Sequence, residues 1–286
     1  MIAICTVTYN RLMYAKLSVK YLLEEPEDFK LTIIDNNSTE PGMKEWLNDI
    51  IKDPRINVMF NSENKGLAYA INQFFDILTD EEYIGFVYSD SVVPKNYMRS
   101  FKDCLDKNKE IGILCACEWG VCLNKQMEVV EDYTLRKILD TPISFDVYKK
   151  EIIDKYAEKG DESGIEEKDS FAVLYASMIT DLCSILRRDV FNKIGKYPKV
   201  GSTIFGIDWW IGLMKDAGYK PAFYCWELGK VERKFVIHLG APESIRSVID
   251  LKDNPFKYPT VYLKHAREVW KERHWHEWQK TKKIPF

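Results

Sequence analysis

With 286 residues, 46% of them hydrophobic and 30% charged, the chain is long enough for one large α/β domain, or one domain with an insertion, around a sizeable core. A formal net charge of −3 and a pI near 5.9 exclude the global basic field that unspecific nucleic-acid or membrane attraction requires, and leave only local basic patches. No run approaches the eighteen or so apolar residues of a spanning helix.

In chain order, residues 2–8 form a β-branched run that reads as a strand ending in Tyr9, Asn10 and Arg11, and residues 14–23 carry apolar positions at helical spacing. Residues 31–35 form a second short buried strand ending in Asp35, Asn36, Asn37 and Ser38; a helix over 43–51 follows. Residues 56–60 form a third strand, Asn64, Lys65 and Gly66 a polar turn, and residues 67–78 a helix whose start is packed with small residues. Then comes an apolar run, residues 84–94, broken by Asp90 and closed by Pro94. A carboxylate at the end of a buried strand needs water, a metal or a partner. Asp90 is therefore a candidate ligand, or else the cap of the helix that follows it.

A helix with Tyr97, Phe101 and Leu105 leads into a strand over 111–116. The stretch from about 118 to 170 is less regular and reads as an insertion at the cleft mouth, its hydrophilic end at 158–169 as a loop. Strand character returns over 172–186, which contains Asp181, and then at 235–238, which ends on His238. Between them, residues 205–210 hold Asp208, Trp209 and Trp210 ahead of a helix over 211–217. An acid there is either functional or an ordinary N-cap, Asp181 either faces the cleft or is satisfied by neighbouring backbone or Arg187, and the tryptophans either stack on a ligand or fill the core. The last segment, 259–286, is basic and aromatic. It reads as a helix packing on the domain, with contact to an anionic membrane or a nucleic-acid backbone as the alternative.

Strands alternating with helices imply βαβ units and a mostly parallel sheet, whose ligand cleft lies outside the carboxyl ends of the strands. Residues 8–11, 35–38, 61–66 and 89–91 should converge there. No Gly-rich dinucleotide fingerprint follows the first strand, and no P-loop is present, which argues against nicotinamide, flavin or P-loop chemistry. The seven cysteines are odd in number and several lie in apolar runs, which suits buried thiols in a reducing compartment. The opening strand lacks a charged leader and an apolar signal core, so the expectation is a soluble, cytoplasmic protein.

Four motifs in order carry a family resemblance over residues 1–240: Thr6-Val7-Thr8-Tyr9-Asn10-Arg11, Ile33-Ile34-Asp35-Asn36-Asn37-Ser38, Asn64-Lys65-Gly66 with its helix to Asn72, and Tyr88-Ser89-Asp90. Together they resemble the inverting family-2 glycosyltransferases. The resemblance implies an α/β GT-A (nucleotide-diphospho-sugar transferase) fold, a Rossmann-like mostly parallel sheet flanked by helices. The domain would span 1–240 with the insertion at 118–170, and a C-terminal helical extension would span 241–286.

It further implies a nucleotide-diphosphate-sugar donor, with uridine as the expected base, bound by Thr8, Tyr9, Asn10, Arg11, Asp35, Asn37, Asn64, Lys65, Gly66, Ser89 and Asp90. Asp90 occupies the metal-binding place of the family's DxD motif, while Tyr88 stands where the first acid often is. Mn2+ or Mg2+ would be held by Asp90 and the diphosphate, with His238 as a further ligand that favours Mn2+. Asp208 matches the family's general base, although Ile207 replaces the usual Glu. Trp209, Trp210 and Asp181 would lie on the acceptor side. The acceptor expected is a surface glycan or lipid-linked saccharide; a modified DNA base and a non-catalytic sugar-nucleotide or glycan-binding module are the alternatives.

Overall fold

The computed structural model describes residues 1–119, 165–168, 171–175, 183–197, 203–227 and 235–238. Its first half alternates strand and helix: β1 (Ile2–Thr8), α1 (Leu12–Leu23), β2 (Phe29–Asp35), α2 (Met43–Ile50), β3 (Ile56–Phe60), α3 (Leu67–Ile77) and β4 (Tyr83–Val87). Then follow β5 (Ser91–Val92), α4 (Tyr97–Lys107), β6 (Ile111–Trp119), β7 (Ile165–Lys168), β8 (Phe171–Tyr175), β9 (Cys183–Arg187), α5 (Arg188–Ile194), α6 (Thr203–Asp216), β10 (Lys220–Glu227) and β11 (Phe235–His238). The main sheet runs β3-β2-β1-β4-β9-β6-β10-β8-β7, with β11 paired to β5 and β6.

β3, β2, β1 and β4 are parallel, as the alternation predicts. Beyond β4 the sheet is mixed: β9 is antiparallel to both β4 and β6, and β8 is antiparallel to β10. Two expectations need correction. The single strand expected over 172–186 is two strands, β8 and β9, which are not neighbours in the sheet. Part of the stretch expected to be a hydrophilic loop, Ile165–Lys168, is the edge strand β7, antiparallel to β8. Charged residues are at home on an edge, where they oppose pairing with another chain, and their polarity hid the strand.

The strands show why their sequences are apolar throughout. Alternate residues enter opposite cores: Ala3 and Cys5 of β1, with Ile84 and Phe86 of β4, lie in one, Ile2 and Ile4, with Tyr83 and Val87, in the other. Phe74 and Phe75 of α3, Val190 of α5 and Trp210 and Met214 of α6 complete the first core. Leu47 of α2 and Tyr97, Phe101 and Leu105 of α4 complete the second. Each such aliphatic or aromatic side chain contributes about 1.5–3 kcal/mol by leaving water. Gly85 leaves room in β4: an added Cβ would lie 2.6 Å from Ile4 Cδ1 and 3.2 Å from the Ser184 carbonyl oxygen, so the Ile4 side chain would have to shift. Cys5, Cys104, Cys115 and Cys183 are buried free thiols, as expected.

Candidate active site

The strand order reverses beside β1, with β2 and β3 on one side and β4 on the other. Such a switch point opens a crevice at the carboxyl ends of the strands. Here the β1–β4 ladder stops at Cys5 and Phe86, while β1 stays paired with β2 as far as Thr8 and Asp35. The ends of β1 and β4 therefore part. Below the gap the Thr6 hydroxyl donates to the Val87 carbonyl at 2.9 Å.

After Val87 the chain turns, the Ser91 N–H donating to the Tyr88 carbonyl at 3.0 Å, which also accepts from the Ser18 hydroxyl at 3.0 Å. Ser89 is half-buried at the tip of this turn. Asp90 is 9% exposed, and its Oδ2 accepts from Arg11 Nη1 at 3.0 Å. It does not cap the helix that follows. The N–H groups of Tyr97 and Met98 at the start of α4 are taken by the buried Glu25 carboxylate, at 3.3 and 2.9 Å. With that need met from a distant segment, Asp90 turns to the loop after β1 instead.

That loop is held in an unusual backbone conformation. Asn10, Arg11 and Asn37 have φ of 59°, 61° and 67°, three of the four non-glycine residues at positive φ among the described residues. All three follow the carboxyl ends of β1 and β2. Left-handed backbone costs such residues on the order of 1 kcal/mol each, so the surroundings must overdetermine it. They do. The Asn10 N–H donates to the Ser38 hydroxyl at 2.7 Å, and Asn10 Oδ1 accepts from the N–H groups of Thr39 and Glu40 at 2.8 and 3.0 Å. The Glu40 carboxylate accepts from the Leu12 N–H at 3.0 Å. Tyr9 is exposed, whereas Thr8 is buried and its hydroxyl donates to the Asn10 carbonyl at 3.3 Å.

Asp35, also buried, shapes the second loop by accepting from the Ser38 N–H at 3.2 Å and the Ser38 hydroxyl at 2.5 Å. Its oxygens keep lone pairs for a further donor. Beside it, Asn36 Nδ2 donates to Asn64 Oδ1 at 2.8 Å, and Asn36 Oδ1 accepts from Asn61 Nδ2 at 3.1 Å and from the Lys65 N–H at 3.3 Å. Asn61 in turn exchanges two hydrogen bonds with Gln73, at 2.9 and 2.8 Å. Gly66, at φ 85° and ψ 168°, opens α3. Lys65 pairs with Glu63 at 3.3 Å and lies 4.8 Å from the Tyr69 ring centroid; those neighbours, Glu63 foremost, hold its ammonium above the usual range.

The four segments expected to converge are thus joined by named hydrogen bonds. Glu40 and Gln73 are the members of this network that lie outside the motifs and converging segments. The signal for Glu40 is its place just past the polar run after β2, and for Gln73 a carboxamide in an apolar helix.

The acceptor-side candidates fare differently. Helix α6 begins at Thr203, eight residues before the expected start, so Asp208 is its sixth residue. An N-cap is therefore not what Asp208 is for, since capping belongs to the residue before the first turn. Trp209 lies on the same helix. Trp210 is 0% exposed, and its Nε1 donates to the Gly195 carbonyl at 3.1 Å. Its ring centroid lies 5.8, 5.9 and 5.5 Å from those of Phe75, Phe86 and Tyr197. This corrects its placement on the acceptor side, because no ligand reaches a ring so enclosed: Trp210 is core. Asp181, residues 120–164 of the insertion expected over 118–170 and the extension expected over 241–286 lie outside the described residues.

His238 is placed by its backbone. β11 pairs antiparallel with β5, and His238 is the register partner of Ser91, the residue after Asp90. Among the described residues no three His, Cys, Asp or Glu side chains gather as a metal site. The donor chemistry nonetheless fits a divalent cation that brings its own diphosphate oxygens. Asp90 offers a hard oxygen at the crevice, and His238 is paired in register with the residue that follows it. No described helix is long and apolar enough to cross a membrane.

The model of the family described as Glycosyl transferase family 2 matches residues 3–195. Among solved structures, the chain is similar to the mannosyltransferase PcManGT from Pyrobaculum calidifontis in complex with GDP-Man and Mn2+, with a TM-score of 0.52 and 12% identity over 80% of this chain and 58% of that one. It is similar to S. aureus TarS 1-349, with a TM-score of 0.52 and 13% identity over 98% and 73%. It is also similar to GalNAc-T7 with UDP, GalNAc and Mn2+, with a TM-score of 0.58 and 13% identity over 84% and 43%. The chain thus spans 58% of the first and 43% of the last of these structures. The likenesses show the GT-A fold. The comparison with curated proteins gave no match.

Proposed function

Since the chain belongs to glycosyl transferase family 2, we propose that it is an inverting enzyme moving a sugar from a UDP-sugar to an acceptor hydroxyl at the crevice between β1 and β4. The observation that carries this reading is the Arg11–Asp90 pair, at 3.0 Å, spanning the two strand ends at the switch point. His238 is the register partner of Ser91, the residue after Asp90.

In this reading Asp35 and its turn, with Asn37, receive the base, while Thr8, Tyr9, Asn10, Asn64, Lys65, Gly66 and Ser89 line the path of the ribose and diphosphate. Asp90 and His238 would hold a divalent cation, Mn2+ in preference to Mg2+, which when bound neutralises charge on the leaving diphosphate. Asp208 takes the proton of the acceptor hydroxyl. The hydroxyl oxygen forms its bond to the anomeric carbon as the carbon–phosphate-oxygen bond breaks on the opposite face, and the electron pair leaves with the diphosphate. Attack opposite the leaving group inverts the anomeric configuration. A positioned carboxylate base is worth about 10²–10⁴ in rate.

The acceptor is a surface glycan or lipid-linked saccharide. A net charge of −3 supplies no field to draw a polyanionic acceptor such as DNA. Asp208→Asn is expected to lower transfer by about 10³-fold while calorimetry still detects UDP-sugar binding. Full activity in that variant would remove Asp208 from the mechanism.

A further inference from the structure

Arg11 does more than belong to a motif. Its backbone is pinned in the left-handed region at φ 61°, on a loop tied to residues 38–40 through Asn10 and Glu40. The backbone there has little freedom, but the side chain is long and 29% exposed, and it ends on a carboxylate that is 13% exposed. Asp90 is also the acid left in the Tyr88-Ser89-Asp90 stretch, where Tyr88 stands two residues before it. While the guanidinium sits 3.0 Å from Asp90 Oδ2, a divalent cation on the same carboxylate meets a positive charge at close range, which weakens its binding. A guanidinium is equally suited to a phosphate oxygen, and the crevice beside Arg11 is where a diphosphate would lie.

We propose that Arg11 is a cationic latch on Asp90. It neutralises the carboxylate while the cleft holds no donor, and it turns to a phosphate oxygen when the nucleotide diphosphate and its cation arrive. Donor and metal binding are thereby coupled: free cation is rejected, and cation carried by a nucleotide diphosphate is admitted. The inference rests on the glycosyl-transfer reading of this crevice and concerns how that site selects its ligands. In this scheme Arg11 acts on the metal through Asp90 before the donor arrives and touches the donor itself afterwards.

The test is a Mn2+ titration followed by electron paramagnetic resonance on the full chain, with and without UDP, for the wild type, Arg11→Gln, Arg11→Lys, Asp90→Asn and the double variant of Arg11→Gln with Asp90→Asn. Without UDP, Arg11→Gln is expected to bind Mn2+ about tenfold more tightly than the wild type, the scale of releasing one partly buried ion pair. Arg11→Lys, which keeps the cation, should stay within about twofold of the wild type. Adding UDP should narrow the gap between the wild type and Arg11→Gln, and the double variant Arg11→Gln, Asp90→Asn should show no gain. Equal Mn2+ affinity in the wild type and Arg11→Gln without UDP overturns the latch, as does an equal gain in the Lys and Gln variants. If Arg11→Gln does not fold, Arg11→Met, which keeps the stem, takes its place. Failure of the glycosyl-transfer reading looks different: the wild type would bind neither UDP nor a UDP-sugar at any Mn2+ concentration.

Discussion

The two ends of the sheet each hold an arginine, and the contrast between them separates a site from a scaffold. At the amino end of β4, Tyr83 pairs in register with Arg187, whose side chain is only 8% exposed. The Arg187 guanidinium donates to the carbonyls of Leu105, Ile111 and Lys109 at 3.1, 3.2 and 2.9 Å and to Asp189 at 3.0 Å. These acceptors belong to β6, its approach and the end of α4, so Arg187 ties the helix to the sheet. At the other end Arg11 meets a carboxylate at a crevice, on a strained loop. Backbone carbonyls cannot be exchanged for a ligand, whereas a carboxylate partner can change one cation for another. A charge saturated by main chain is structural; one paired with a side chain at strand ends is available for function.

Crossed substitutions sharpen this contrast. Asp90→Asn should cost the most, about 10³-fold in transfer, with a urea midpoint close to the wild type because Asn keeps the shape and an oxygen that still accepts from Arg11. Arg187→Met should do the reverse, losing about 3 kcal/mol of stability because buried carbonyls lose their donor, while kcat per folded molecule is unchanged. A large activity loss in Arg187→Met at full folding would break the distinction. Gly66→Ala comes next. An added Cβ there meets nothing within 4 Å, yet φ is 85° and ψ 168°, a region that essentially only glycine enters. The expected loss is about 2 kcal/mol, read by urea titration, with a raised KM for the donor since the residue opens α3 at the cleft.

The smallest effect belongs to pH. Burial pushes the Cys104 thiol up to about 12 from an ordinary 9.0, and burial likewise raises Cys5 and Tyr97. A folded-state pKa above the unfolded one means that the unfolded chain gives up its proton first. The Cys104 contribution is therefore intact below pH 9 and is lost as pH rises from there toward 12. Urea midpoints at pH 8, 9 and 10 should fall in that order. Cys5, Cys104, Cys115 and Cys183 should resist a thiol reagent at pH 8 until the chain unfolds.

The alternation of strand and helix from β1 to β4, the polar loops at their carboxyl ends and the prominence of Asp90 are all legible in the amino-acid order alone. Those features are local: periodicity reports which residues share a face, and short polar side chains after a buried run report where the chain leaves the core. The amino-acid order places α6 only in part. Gly206 and the Trp209–Trp210 pair blur the helical period, so the first two turns, with Asp208, were not legible as helix.

Folding settles what the order of residues leaves open: β9 enters between β4 and β6, and Glu25 takes the first N–H groups of α4 in place of Asp90. It alone decided that Trp210 is core, and that β11 returns to lie against β5 beside Asp90. Each depends on contacts between residues far apart in the chain. Such contacts form because the sheet must satisfy its hydrogen bonds and bury both faces at once, a condition on the whole chain that no single stretch of it expresses.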